Sequence, residues 1–153
     1  MAAIDLRHRL AQYRTIFLDT MVFIYVLERN PRFASLSDAV LQMVEAGELK
    51  AVTSSLSLAE ILSGPAYAQN QQAMSDYELY LTHFPNLSIQ AVETRHARII
   101  AAVRAATRLR VPDAVQIAVA MDAGANAIVG NDVTWQGKTG PLDFVLLREF
   151  VPA

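Results

Sequence analysis

The 153-residue chain contains no cysteine. That excludes disulfide frameworks, thiolate zinc sites and cysteine nucleophiles, and it accords with a reducing compartment, so the expected location is the cytoplasm. An excess of charge of either sign is also missing: 13 Lys and Arg against 15 Asp and Glu leave a formal net charge of −2. With no overall basic field to drive indiscriminate nucleic-acid binding, any such partner must be met by a local patch. Long apolar runs are absent as well. The longest, from Ile16 to Leu27, is interrupted by Asp19 and Thr20 and falls well short of the roughly 20 residues that cross a bilayer. The opening Ile4-Asp5-Leu6-Arg7-His8-Arg9 carries charges where a secretory leader is apolar, so neither secretion nor a membrane partner is expected.

Several familiar catalytic signatures are lacking. The chain has no G-x-G-x-x-G and no G-x-S-x-G, which leaves dinucleotide binding and the usual hydrolase elbow unsupported. Gly137-Lys138-Thr139 resembles the end of a phosphate-binding loop, but Asp132 stands where that loop needs its first glycine, and Gly140-Pro141 blocks the helix that must follow. Asp19-Thr20-Met21 lacks the second aspartate of aspartyl phosphatases. His8, His83 and His96 are too scattered for a metal triad, and His96 reads as a packing or rim residue.

What is present is the composition of a compact fold, 53% hydrophobic and 18% charged, with no repeat and no linker, so residues 1–153 read as one domain with its core at about 15–151. Short apolar runs alternate with helical patterns, as in an α/β domain with a mainly parallel sheet of about five strands. The strands are placed at Thr15–Leu18, Lys50–Thr53, Leu87–Gln90, Ala127–Val129 and Asp143–Leu147. Helices are expected over Met21–Leu27, over Asp38–Ala46 with Gly47 as its stop, and over Ser57–Leu62 ending at Gly64-Pro65. Ala66 to His83 reads as an exposed helix or hairpin. The clearest helix runs from Val92 to Ala106, and another from Asp113 to Ala123, opened by Pro112 and closed by Gly124.

The informative feature is where certain acids fall. Asp19 directly follows Ile16-Phe17-Leu18, Asp132 follows Ala127-Ile128-Val129 after only two residues, Glu60 lies between Leu58-Ala59 and Ile61-Leu62, and Asp113 opens an apolar helix. In a parallel sheet the carboxyl ends of all strands open on one edge, where ligands collect, and Asp19 and Asp132 belong there. Glu60 and Asp113 sit on helices able to face the same crevice, which would gather four carboxylates spaced 41, 53 and 19 residues apart. Two unit negative charges about 5 Å apart repel by roughly 3 kcal/mol at an effective dielectric near 20, so several need protons or cations. Oxygen-only donors favour Mg²⁺ or Mn²⁺ over zinc, and such ions grip phosphate oxygens.

Each acid also has a plain structural reading. Asp19 can cap the helix from Met21, Ser57-Leu58-Ala59-Glu60 is a capping box, Asp113 is a first-turn acid favoured by the helix dipole, and Asn131-Asp132 is turn chemistry. The conjunction of four, each following or opening an apolar element in a workable order, favours a shared site. Arg32, Arg110, Trp135 and Lys138 are the candidate substrate contacts.

Phe17-Leu18-Asp19-Thr20, then Thr53-Ser54-Ser55 with Leu58-Ala59-Glu60-Ile61-Leu62, then Val111-Pro112-Asp113-Ala114, then Gly130-Asn131-Asp132 resemble the motifs of a PIN domain, and the compact single-domain form is similar to VapC-type toxins of prokaryotic toxin–antitoxin pairs. The resemblance implies a three-layer α/β/α fold and a Mg²⁺- or Mn²⁺-dependent endoribonuclease. Asp19, Glu60, Asp113 and Asp132 stand at the family's acidic, metal-binding positions, Asp19 and Asp113 as the firmest ligands, with Thr20 and Asn131 orienting ligands from beside them. It further implies an RNA substrate, a cognate antitoxin and a homodimer. An RNA-processing nuclease outside toxin–antitoxin systems, or a catalytically silent protein- or RNA-binding module, are the alternatives. One departure is Gly130, where the family commonly has Thr or Ser. The segment from Gly64 to Pro85 is long enough to clamp or cover a substrate.

Overall fold

The computed structural model describes residues 2–152. Its five strands, β1 (Thr15–Leu18), β2 (Lys50–Ser54), β3 (Leu87–Gln90), β4 (Ala127–Gly130) and β5 (Asp143–Leu146), form one sheet in the order β3-β2-β1-β4-β5. All four pairings are parallel, with Leu18 opposite Val129 and Phe17 opposite Val52. The chain winds outward from β1 through β2 to β3, then crosses to β4 and β5 on the other side. The winding direction therefore reverses between β1 and β4, which opens a crevice beyond the carboxyl ends of those two strands.

Alternation along the strands explains why both sheet faces are covered. Ile16 and Leu18 of β1 pack into one apolar layer with Ala51, Ala127, Val129 and Val145, whereas Phe17 joins Val52 and Ile128 in the other. The first layer is closed by helices α1 (Ala2–Leu10), α2 (Thr20–Leu27), α3 (Ala34–Glu45) and α4 (Ser55–Tyr67), and the second by α7 (Val111–Asp122) through Ile117, Val119 and Ala120. This is the three-layer α/β/α arrangement expected from the sequence.

Helix boundaries differ from the expectation in instructive ways. α1 was not anticipated, yet Leu6 and Leu10, one turn apart, are completely buried in the core. α3 starts at Ala34 rather than Asp38, and Gly47 (φ +78°) follows it in the left-handed conformation that a helix stop requires. α4 does not end at Gly64-Pro65 but carries Pro65 inside it to Tyr67. A proline restricts the residue before it chiefly through that residue's Cβ and N–H, and Gly64 has no Cβ to clash. The polar segment forms helix α5 (Gln71–Thr82), capped by Asn70, whose side chain accepts from the Ala73 amide at 3.0 Å. The long helical pattern from Val92 resolves into a 3₁₀ turn, Thr94–His96, followed by α6 (Ala97–Thr107).

Candidate active site

Asp19 is the residue immediately after the central strand. Its amide donates to the Val129 carbonyl at 3.0 Å, and the Thr53 hydroxyl donates to the Leu18 carbonyl at 2.7 Å, so its backbone is tied to both neighbouring strands. Although Asp19 occupies the N-cap position of α2, its side chain makes no capping bond there. The carboxylate instead lies in the crevice, 9% exposed. Burial pushes its pKa from 3.8 up to about 7; the Thr20 amide works against this, and the charges of Glu60 and then Asp113 push it further up, with a bond from Gln116 opposing. Asp19 therefore stands within electrostatic reach of both Glu60 and Asp113.

Glu60 does not close the capping box that its spacing allowed. The N-cap of α4 is Ser54, whose side chain accepts from the Ser57 amide at 3.1 Å, and Glu60 instead accepts at Oε1 from the Thr20 hydroxyl at 2.8 Å. Thr20 thus orients a carboxylate from beside Asp19. Asp113 lies in the first turn of α7, as the dipole reading requires, with its Oδ2 3.5 Å from Nε of Arg110. The Arg110 side chain is 81% exposed.

The fourth acid is arranged differently. Asp132 caps the 3₁₀ turn Val133–Trp135, its Oδ1 accepting from the Thr134 amide at 2.9 Å and hydroxyl at 2.7 Å. Its turn-forming reading is realised, and among the described residues its other carboxylate oxygen has no hydrogen-bond partner. Asn131 is buried, with Nδ2 donating to the Tyr25 hydroxyl at 2.9 Å and Oδ1 accepting from the Arg148 amide at 2.8 Å. Both ends of that amide are occupied in pinning the β4 loop to α2 and to the chain after β5. Gly130 lies against Asp19: a Cβ there would stand 3.4 Å from the Asp19 Cβ and 3.4 Å from the Phe144 ring.

One residue at the centre escaped the sequence reading. Gln116, one turn after Asp113 on α7, is 2% exposed and donates from Nε2 to the Ser57 hydroxyl at 2.6 Å and to Asp19 Oδ1 and Thr20 Oγ1 at 3.4 Å each. Its Oε1 accepts a short bond from the Ser54 hydroxyl. The only signal was a polar amide inside Ala114-Val115-Gln116-Ile117-Ala118. Of the other candidate contacts, Trp135 is buried against Phe144 and does not face solvent, and Arg32 lies over the Phe33 ring.

The donor set suits a hard divalent cation: oxygen atoms only, with a buried carboxylate whose charge is opposed by burial and by two further acids. Among the described residues no three His, Cys, Asp or Glu side chains stand close enough to hold an ion by themselves. Such a site matches an ion that keeps several waters and takes one or two carboxylates, the habit of Mg²⁺. Asp19, with Glu60 or Asp113 beside it, offers the one or two carboxylates such an ion would take. Among the described residues no helix is long and apolar enough to cross a membrane.

The architecture is similar to that of several solved structures. VapBC2 from Rickettsia felis, solved bound to a DNA fragment from its promoter, aligns with TM-score 0.68 at 17% identity, over 85% of this chain and 96% of that one. A toxin–antitoxin complex from Klebsiella pneumoniae aligns at 0.62 and 19%, over 86% and 97%. VapC20 of Mycobacterium tuberculosis, described as a sarcin–ricin-loop-cleaving toxin, aligns at 0.63 and 11%, over 84% and 98%. At such identities the likeness is one of fold. No individually curated protein matches the chain. The PIN domain model, however, matches residues 16–136, which include all four acids and the strand ends that present them, and on that match the chain belongs to the PIN-domain family.

Proposed function

We propose that this protein is a divalent-metal-dependent endoribonuclease and acts as the toxin of a VapBC-type pair. The observation that carries the reading is Asp19: a carboxylate buried where the sheet changes direction, beside two further acids and, among the described residues, with no Lys or Arg bonded to it. A fold stabilised by charge pairing would have placed a cation there, whereas a site built to take up Mg²⁺ or Mn²⁺ leaves the negative charge unmatched.

When bound, such an ion supplies the positive charge and the activation of water that phosphodiester hydrolysis demands at neutral pH. The chain's own residues do the placing. Asp19 is fixed by the sheet, Glu60 is turned toward it by Thr20, and Asp113 is brought in by the first turn of α7. Asp132 flanks the same edge on the β4 loop, and Asn131 holds that loop in place. The exposed guanidinium of Arg110, beside Asp113, is available to meet the RNA backbone. The helical pair α4 and α5 is the element available to clamp a substrate. A cognate antitoxin, a homodimer and a cytoplasmic location complete the proposal; the toxin–antitoxin complexes among the structural relatives support the first of these.

Purified protein incubated with RNA should cleave it in Mg²⁺ or Mn²⁺ and stop in excess chelator. RNA left intact under every ionic condition would remove the nuclease reading in favour of a silent binding module. Growth arrest on expression, relieved by the product of an adjacent small gene, separates the toxin from a processing enzyme.

A further inference from the structure

The buried hydroxyls around Gln116 each have one proton, and following those protons gives the amide a single orientation. The Ser54 Oγ already accepts the Ser57 amide proton, in its role as N-cap of α4. Its own proton is directed to Oε1 of Gln116. The side-chain amide of Gln116 is then obliged to turn its Nε2 the other way, toward Ser57 Oγ, Asp19 Oδ1 and Thr20 Oγ1. Thr20 in turn spends its proton on Glu60 Oε1, so toward Gln116 it can only accept. The result is one directed chain, from the Ser57 amide through Ser54, Gln116 and Thr20 to Glu60, with a branch to Asp19. The reversed amide would aim Oε1 at the Asp19 carboxylate and at the Thr20 hydroxyl, whose proton is spent on Glu60; the bonds to both would be lost, and a lone pair would face the carboxylate.

We infer that Gln116 is a positioning residue for the metal site: its amide, locked by the Ser54 hydroxyl, sets the direction in which the Asp19 and Glu60 carboxylates present their remaining oxygens to a divalent cation. This rests on the metal-dependent reading of the site. The chain joins three elements that otherwise approach only at the crevice, the end of β1 with α2, the start of α4, and the first turns of α7. All of Ser54, Ser57 and Gln116 are at most 2% exposed, so water does not substitute for a lost partner. Hydrogen-bond partners of metal-binding carboxylates characteristically matter to affinity about tenfold to a hundredfold when removed. A residue that merely fills space would not.

Mn²⁺ binding measured by titration calorimetry tests this without reference to cleavage. Gln116→Leu, which keeps the volume, should weaken Mn²⁺ binding by about tenfold to a hundredfold, read under conditions where circular dichroism shows the variant folded. Ser54→Ala should weaken it less, because the amide is freed to turn rather than lost, and the double variant should bind no worse than Gln116→Leu alone. A Gln116→Leu protein that binds Mn²⁺ like the wild type overturns this inference while leaving the metal site standing, as do losses that multiply in the double variant. Wild-type protein that binds no Mn²⁺ overturns the metal reading and this inference together. Should Gln116→Leu fail to fold, the side-chain amide protons of Gln116 in the wild type decide: slow exchange with solvent is expected, and exchange as fast as that of the exposed Gln71 and Gln72 overturns the inference.

Discussion

Helix α7 serves two carboxylates that have opposite fates. At its amino end Gln116 reaches Asp19, which burial and neighbouring acids hold near neutrality, with a pKa of about 7. At its carboxyl end Asp122 accepts from Nε2 of the buried His96 at 2.9 Å and from Arg95, and its pKa is lowered, first by the His96 bond and then by Arg95. Nδ1 of the same His96 accepts the Glu93 amide at 2.9 Å, so the proton lies on Nε2, facing Asp122. Every charge at that end is answered from within the chain; Asp19 is not. The difference separates a clasp, which joins the Thr94–His96 turn to α7, from a site whose missing partner must come from outside the fold.

Breaking the unanswered end should have the largest effect. Asp19→Asn is expected to abolish RNA cleavage, by more than the hundredfold ceiling typical of residues that only support a ligand, while circular dichroism stays native. The pH dependence of stability sharpens the contrast. Folded Asp19 holds its proton up to about pH 7, whereas the unfolded carboxyl loses it near 3.8. The folded state therefore binds more protons between those limits, and metal-free protein should lose stability as pH rises through them, by roughly 4 kcal/mol at most. Urea midpoints at pH 5 and pH 8 read this, and Asp19→Asn should flatten the slope. Asp122 has the reverse sign: its contribution is present above the ordinary carboxylate range and is lost as pH falls below it.

At the answered end, Asp122→Ala strands the buried Nε2 proton of His96 and should lower the melting temperature by about 5 °C with kcat unchanged. The smallest effect belongs to the rim. Arg110→Ala should raise KM for RNA severalfold with little change in kcat, because an 81% exposed guanidinium serves binding rather than chemistry. A fall in kcat alone would move Arg110 into the chemistry.

Strands and acids were legible in the sequence because both are local signals. Thr15–Leu18 and Leu87–Gln90 stand at the residues their apolar runs indicated, and Asp19 follows its strand as expected. α1 was hidden because only Leu6 and Leu10 of its nine residues are buried, too few to mark a period among charged neighbours. Ser57 and Glu60 have the spacing of a capping box, and nothing local reveals that Ser54 takes the cap and frees Glu60 for Thr20, a bond across 40 residues. The role of Gln116 depends on hydroxyls 59 and 62 residues away. Asp132 admits both a turn-forming and a site-acid reading in the sequence, and the structure shows the first, with Oδ1 accepting from the Thr134 amide and hydroxyl.

The strand that carries Asp19 has a neighbour on each side, and its last carbonyl and next amide are both taken up by them. This carboxylate has almost no latitude. Glu60 and Asp113, borne on helix turns at the edge, retain theirs. Adjustment to ions of different radius, or to the passage from free to RNA-loaded protein, thus falls to the peripheral acids moving around a stationary one, and exchanging Mg²⁺ for a larger cation should be felt first in α4 and α7.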